Sequence, residues 1–218
     1  MVIESIKEDL SDKKYLFNEI NNYVDESCII STNTSSLSIN QLGYSIKNNS
    51  RFIGLHFFNP VPKMKLVEIV SGNNTSKKTL NDSKEFIKQI NYEPILCKDS
   101  PGFIVNKLLI PQIANAINLY SENIASKEDI DKAIKLRLGH PMRPLKLCDY
   151  IGIDVVLSIL KNLEKSNLNN YTSSIDLLEK MINDNKLGLK NKKGFYDWNY
   201  YIFFIFIRSK NSIISVCT

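Results

Sequence analysis

The chain has 218 residues and a formal net charge of +5, with 43% hydrophobic and 23% charged residues. This composition is typical of a globular protein with enough apolar residues for a core, and the length predicts one or two domains. The positive charge comes mainly from scattered lysines rather than from a basic stripe with interleaved aromatic residues, so we expect no nucleic-acid binding. A mildly positive surface suits ligands that carry phosphates but identifies none.

Cysteine and histidine usage narrows the possible chemistry. The four cysteines lie far apart in the sequence and form no CxxC motif, which favours a reduced, cytoplasmic protein. They are Cys28, Cys97, Cys148 and Cys217. With only two histidines and no clustered ligands, we expect no metal site. The beginning of the chain lacks the long apolar run of a signal peptide.

The first part of the chain predicts strands that alternate with helices. Residues 2–3 resemble the end of a strand, 7–24 have apolar residues at helical spacing, and 28–31 form a short strand. Residues 33–36 make a polar turn at the carboxyl end of that strand, which is where ligands bind in open α/β sheets. The same Ser/Thr/Asn cluster could instead only cap the helix expected over 38–44.

Residues 51–70 hold two apolar runs on either side of a short Pro-rich turn. If the runs pair antiparallel around this turn, the alternation of side chains puts His56 opposite residues 66–68, within reach of Glu68. A carboxylate on one ring nitrogen fixes the tautomer of an imidazole and stabilises the imidazolium, so the pair would suit acid/base catalysis. The alternative is that Glu68 is a solvated strand residue and His56 a hydrogen-bonded core residue.

A second, helical part is expected after the last predicted strand at 93–98. Residues 99–102 form the boundary, and a helix over 101–121 would carry Asn106 on its apolar stripe. An inward-facing amide without a partner costs about 1–3 kcal/mol, so Asn106 needs a hydrogen bond. It could make a structural hydrogen bond between domains or reach a functional site.

More helices are predicted from 126, over 145–166 and over 173–185, and their apolar faces suggest helical packing and a dimer interface. His140 precedes a proline in a turn, and we interpret it as structural. Residues 199–218 form an atypical hydrophobic tail. Its run YYIFFIFI is too short for a membrane span of about 20 residues, so we expect no membrane insertion.

Three motifs occur in order along the chain: NTSSL at 33–37, HFFNPVPKMKLVE at 56–68 and SPGFIVNKLL at 100–109. Together they resemble the NAD-dependent 3-hydroxyacyl-CoA dehydrogenase family, and most of all the short bacterial 3-hydroxybutyryl-CoA dehydrogenases. The resemblance extends from Val2 to about Trp198, which is nearly the whole chain.

This resemblance implies an α/β plus all-α fold. The C-terminal part of a Rossmann domain would cover 1–98, a helical dimerisation and substrate domain would cover 99–198, and the tail would follow. Family members have further residues upstream that hold the first Rossmann strands and a GxGxxG turn. None of the eight glycines of this chain forms that pattern. The resemblance therefore implies an N-terminally truncated member.

The implied activity is reversible hydride transfer between NAD and C3 of a short-chain 3-hydroxyacyl-CoA, as in fatty acid and butyrate metabolism. By resemblance, His56 is the general base on the 3-hydroxyl group, and Glu68 orients it and stabilises its charge. Ser35 would hydrogen-bond the reacting oxygen, and Asn106 would position the substrate. The residues implied to bind the cofactor are Glu8, Lys13, Ser35 and Asn59.

Some alternatives stay open. The cofactor could be NADP, because the acidic residue that follows the second Rossmann strand would lie upstream. Glu8 and Lys13 could simply be a solvated, charged helix start. The chain could also be an inactive fragment that acts at most as a helical dimerisation module. Arg143 replaces a glycine of the family's HPMGP turn and would strain the turn if that position has a positive φ.

Overall fold

A computed structural model describes residues 1–165, 171–199, 205–209 and 212–216. The chain divides into two compact units. The first is built on residues 1–111 together with 161–165, and the second on residues 112–160 and the described residues from 171 onwards. The fold class expected from the sequence, α/β followed by all-α, is confirmed.

The first unit contains a five-stranded sheet in the order β1-β2-β3-β4-β5. Its strands are β1 (Val2–Glu4), β2 (Ile30–Thr32), β3 (Phe52–Phe57), β4 (Leu66–Ser71) and β5 (Glu93–Lys98). All neighbours pair in parallel except β3 and β4, which are antiparallel. The reason is the short connection between β3 and β4, since parallel neighbours need a longer crossover.

Helices α1 (Leu10–Ile20), α2 (Ile39–Gly43) and α3 (Lys77–Gln89) connect these strands. Successive residues of a strand point to opposite faces, so each face of the sheet has its own core. Phe52 packs in a cluster with Phe17 and Leu42, whereas Ile53 packs in a second cluster with Ile87. The sheet is thus covered by apolar side chains on both faces.

Helix α1 is shorter than the predicted 7–24. The side chain of Asp9 accepts hydrogen bonds from the backbone N–H groups of Ser11 and Asp12, so the helix begins at Leu10. An N-cap residue has extended backbone angles and ends the helix in that direction. The predicted strand at 28–31 is likewise displaced, because β2 begins at Ile30.

Helix α4 (Val105–Ser121) begins four residues later than predicted. Gly102 and Phe103 have φ angles of 74° and 51°. These left-handed angles are incompatible with a right-handed helix, so the expected start at Pro101 is wrong. The SPGF sequence instead forms a turn before the helix.

The second unit contains α5 (Lys127–Leu138), α6 (Pro144–Ile151), α7 (Ile153–Lys165, shared with the first unit) and α8 (Thr172–Asn183). The single helix predicted over 145–166 is two helices, since Gly152 has a φ of 108° and interrupts it. The predicted end of that helix lies outside the described residues.

Two further expectations concern the second half of the chain. Arg143 has a φ of −82°, so the concern about strain at this position is not borne out. Part of the hydrophobic tail forms a hairpin of β6 (Ile205–Ser209) and β7 (Ser212–Val216). Within the described part of the chain, no helix is both long and apolar enough to span a membrane.

Candidate functional site

His56 and Glu68 face each other across the β3–β4 hairpin. The antiparallel register pairs the two residues directly, and His56 Nδ1 lies 2.7 Å from Glu68 Oε2. Both residues are buried, with 3% and 1% of their surface exposed. The predicted proximity is confirmed, and the alternative of a solvated Glu68 is wrong.

The second carboxylate oxygen of Glu68 is occupied as well. Glu68 Oε1 accepts the backbone N–H groups of Ile104 and Val105 at 3.0 and 2.9 Å. These N–H groups belong to the first residue of α4 and the residue before it, and backbone N–H groups at a helix start have no partner inside the helix. A carboxylate held at both oxygens has a fixed orientation, so His56 donates its Nδ1–H and presents Nε2 as the remaining nitrogen.

Two aromatic rings enclose the imidazole. The ring of Phe58 lies 4.3 Å from that of His56 between centroids, and the ring of Phe103 lies 5.6 Å away. Apolar neighbours exclude water, which strengthens the interaction between an imidazolium and the carboxylate of Glu68. Sequence reasoning did not name the phenylalanines as site residues. Phe58 could have been inferred, because it follows His56 by two residues, just after the end of β3, and strand alternation puts it on the same side.

Ser35 and Asn106 are also brought together. The side-chain amide of Asn106 donates to the backbone carbonyl of Ser35 at 3.3 Å. Asn106 is 8% exposed, which satisfies the expectation that its buried amide has a partner. Ser35 is half-buried in the polar turn that follows β2.

Lys13 is not part of a solvated helix start, whereas Glu8 is exposed to solvent but hydrogen-bonded. Lys13 has no exposed surface, and its ammonium group lies 2.7 Å from Oε1 of the equally buried side chain of Glu4. Glu8 Oε1 accepts hydrogen bonds from the 34–36 turn. Glu4 was missed by sequence reasoning, and the only signal was a charged residue at the end of a short apolar strand.

Asn59 lies apart from the other candidates in terms of contacts. It is exposed and follows β3 by two residues, and no hydrogen bond of its side chain occurs among the described residues. Its position is nevertheless at the carboxyl end of β3, next in the sheet to the end of β2 that carries Ser35. That edge is where ligands bind in doubly wound α/β sheets.

Comparison with known proteins gives consistent matches over both parts of the chain. Residues 1–100 match the family model of the 3-hydroxyacyl-CoA dehydrogenase NAD binding domain, and residues 102–198 match that of the C-terminal domain. The chain is 47% identical over 199 residues to the 3-hydroxybutyryl-CoA dehydrogenase of Clostridioides difficile, covering 91% of this chain and 71% of the relative.

A mammalian relative and a solved structure agree with this match. The mitochondrial hydroxyacyl-coenzyme A dehydrogenase of Sus scrofa is 44% identical, with 91% of this chain and 63% of the relative covered. The (S)-3-hydroxybutyryl-CoA dehydrogenase PaaH1 from Ralstonia eutropha has a TM-score of 0.86 at 39% identity, covering 91% of this chain and 70% of that structure. The chain thus spans between 63% and 71% of the length of these three proteins. It belongs to the 3-hydroxyacyl-CoA dehydrogenase family of NAD-dependent oxidoreductases.

Proposed function

We propose that the protein catalyses reversible hydride transfer between NAD and C3 of a short-chain 3-hydroxyacyl-CoA. The observation that carries this proposal is the buried pair of His56 and Glu68, with an Nδ1–Oε2 distance of 2.7 Å. The preference for a short acyl chain is supported by the bacterial relatives, which are 3-hydroxybutyryl-CoA dehydrogenases.

In the oxidation direction, His56 Nε2 accepts the proton of the 3-hydroxyl group while the hydride leaves C3. The resulting imidazolium is stabilised by the carboxylate of Glu68, which is held in place by hydrogen bonds with the ring and with two backbone N–H groups. In the reduction direction, the same nitrogen returns the proton to the carbonyl oxygen. A positioned acid or base of this kind contributes about 10²–10⁴-fold to a rate.

Ser35 and Asn106 position the substrate in this proposal. The hydroxyl group of Ser35 donates to the oxygen on C3, where negative charge develops during reduction. Asn106 binds the carbonyl of Ser35 at 3.3 Å and so connects the beginning of α4 to the turn after β2. The second N–H and the carbonyl oxygen of the Asn106 side chain are available to hydrogen-bond the substrate.

The residues of this chain fit one end of NAD. Ser35 and Asn59 carry hydroxyl and amide groups at the carboxyl ends of β2 and β3, which suits the nicotinamide and its ribose. Glu8 binds the turn after β2, and the buried Lys13 lies 3.9 Å from Glu8. A glycine-rich turn for the diphosphate is not present in the 218 residues. When bound, NAD accepts or supplies the hydride, and the protein contributes orientation and proton transfer.

Assembly is proposed through the helical domain, which we place at 99–198. Ile124, Leu136 and Leu138 are 63%, 73% and 53% exposed. Large apolar side chains at a surface support a contact between two copies of the chain. We propose a cytoplasmic homodimer, and the free state of Cys28, Cys97 and Cys148 agrees with a reducing compartment.

The direct test is acetoacetyl-CoA-dependent oxidation of NADH by the purified protein. We expect turnover that is fastest with the four-carbon substrate and falls with longer acyl chains. Dimers without any NADH binding in fluorescence titration would instead favour the second candidate, a non-catalytic dimerisation module.

A further inference from the structure

We propose that Glu8 is a positioning residue of the reaction: it holds the 34–36 turn so that the hydroxyl group of Ser35 is aimed at the substrate. This inference rests on the role proposed for Ser35. It assigns to Glu8 a function toward the substrate in addition to the contact with the cofactor that the family resemblance implies.

One oxygen of Glu8 binds the whole turn. Oε1 accepts from Thr34 Oγ1 at 2.6 Å, from the backbone N–H groups of Ser35 and Ser36 at 2.8 and 3.0 Å, and from Ser36 Oγ at 3.2 Å. Hydrogen bonds to an ionised acceptor are roughly twice as strong as neutral ones. The carboxylate therefore determines the backbone conformation from which the side chain of Ser35 projects.

Two further hydrogen bonds, from Asn106 and from the N–H of Leu37, hold the turn. The carbonyl of Ser35 accepts from Asn106 at 3.3 Å, and Thr34 Oγ1 accepts the N–H of Leu37 at 2.9 Å. Both backbone polar groups of Ser35 are thus engaged. Among the described residues its hydroxyl group has no hydrogen-bond partner and is the group left for a ligand.

Glu8 is itself fixed by a buried charge. Lys13 Nζ lies 3.9 Å from Glu8 Oε2, and it donates to the carbonyl of Asn33 at 3.3 Å, one residue before the turn. The side chain of Glu8 is 35% exposed. Since Oε1 is occupied by the turn, Oε2 is the oxygen left for the cofactor contact that the family resemblance implies. The carboxylate of Glu8 therefore binds the 34–36 turn with one oxygen and leaves the other for the cofactor.

The test compares Glu8→Ala and Glu8→Gln with Glu19→Ala, a control that removes the same charge from an exposed residue of α1. Steady-state kinetics with acetoacetyl-CoA and NADH are measured on the purified protein and its variants. We expect Glu8→Ala to lower kcat/KM for acetoacetyl-CoA by about a hundredfold, because small misplacements of substrate-binding groups cost this much. The KM for NADH should rise as well, because the family resemblance places Glu8 at the cofactor, but kcat/KM for acetoacetyl-CoA should fall by a larger factor. Glu8→Gln keeps an acceptor oxygen and should recover most of the loss, and Glu19→Ala should behave as wild type.

Amide hydrogen exchange gives an independent reading. In Glu8→Ala the amides of Ser35 and Ser36 should exchange faster than in wild type, and those of β3 should not change. Equal exchange in both proteins would overturn the proposal, as would a loss confined to the KM for NADH or a Glu8→Gln variant as defective as Glu8→Ala. An inactive wild type would instead overturn the proposed function, while the exchange of Ser35 and Ser36 would still show whether Glu8 holds the turn.

Discussion

Glu68 binds the backbone N–H of Val105 at 2.9 Å with one oxygen and the ring of His56 at 2.7 Å with the other. A single carboxylate therefore joins β3, β4 and the beginning of α4. The hairpin presents the imidazole, and the helix start orients the group that controls it. Both connections depend on a side chain with two acceptor oxygens.

Glu68→Gln should preserve the shape of this site and remove its function. An amide has one acceptor and one donor end, so it must present N–H groups either to His56 Nδ1 or to the backbone donors of α4. His56 then loses the acceptor that fixes its tautomer, and its imidazolium loses the stabilising negative charge of residue 68. We expect kcat to fall by about 10³–10⁴-fold, as in other histidine–carboxylate pairs that lose the acid. The measurement is NADH oxidation with acetoacetyl-CoA.

The control for this change is Glu85→Gln in α3, whose side chain is 64% exposed. Its activity should equal that of wild type. If Glu68→Gln were as active as this control, the carboxylate of Glu68 would have no part in catalysis.

Gly102→Ala should destabilise the first unit. Gly102 has a φ of +74°, and an added Cβ would lie 2.9 Å from the backbone nitrogen of Lys107. Backbone atoms of a helix cannot move away cheaply, and a left-handed conformation strains any residue with a Cβ. We expect a loss of about 1–3 kcal/mol in the free energy of unfolding, measured by urea denaturation.

Gly139→Ala separates backbone strain from close contact as causes of the loss expected at Gly102. Gly139 has a φ of +66° but no atom within 4 Å of the position of an added Cβ. It should cost only the conformational strain of about 1 kcal/mol. An equal or larger loss at Gly139 would show that contact with Lys107 contributes nothing at Gly102.

Cys97 should be unreactive toward alkylating agents in the folded protein. Burial, helped by the charges of Glu68 and Asp99, raises the pKa of its thiol from 9.0 to about 12. At pH 9 the fraction present as thiolate then falls from about one half in the unfolded chain to about one in a thousand in the folded one. Since the thiolate is the nucleophile, iodoacetamide should modify Cys97 several hundred times, roughly, faster in urea than in buffer.

The raised pKa of Cys97 also makes the stability of the folded protein depend on pH. The folded protein holds the Cys97 proton more tightly than the unfolded chain between pH 9 and about 12, so this group disfavours the folded state as pH rises through that window. Mass spectrometry of the Cys97 peptide gives the modification rates. Equal rates in buffer and in urea would contradict the raised pKa.

Lys192→Gly should stabilise the helical unit. Lys192 has a φ of +64°, a left-handed conformation in the closing segment of the matched region. Relief of strain at a non-glycine residue with positive φ should raise the free energy of unfolding by about 1 kcal/mol. Urea denaturation of the variant measures this.

Lys193→Gly is the matched comparison for that variant. Lys193 pairs as isolated β-bridges with Gly188 and Asp197, so its backbone is extended. Glycine at such a position should cost about 0.5–1 kcal/mol. A stabilisation of the same size at both positions would contradict the role of the φ angle.

The pairing of His56 with Glu68 could be predicted from the sequence, since strand alternation and a short turn leave few possible registers. The left-handed angles of Gly102 and Phe103 could not, because the apolar spacing of the following residues continues through them as in a helix. The burial of Lys13 could not be predicted from the sequence either. Its partner Glu4 is nine residues away and on another element, and only the packing of α1 on the sheet brings the two together.

The most direct measurement of the central claim is the turnover of acetoacetyl-CoA and NADH by the His56→Ala variant of the protein. His140→Ala is the control, because His140 is the chain's other histidine and lies in the turn before α6. We predict that His56→Ala loses activity by about 10²–10⁴-fold while the KM for NADH is little changed and His140→Ala matches wild type. Full activity in His56→Ala would contradict the account, whatever the geometry of the pair.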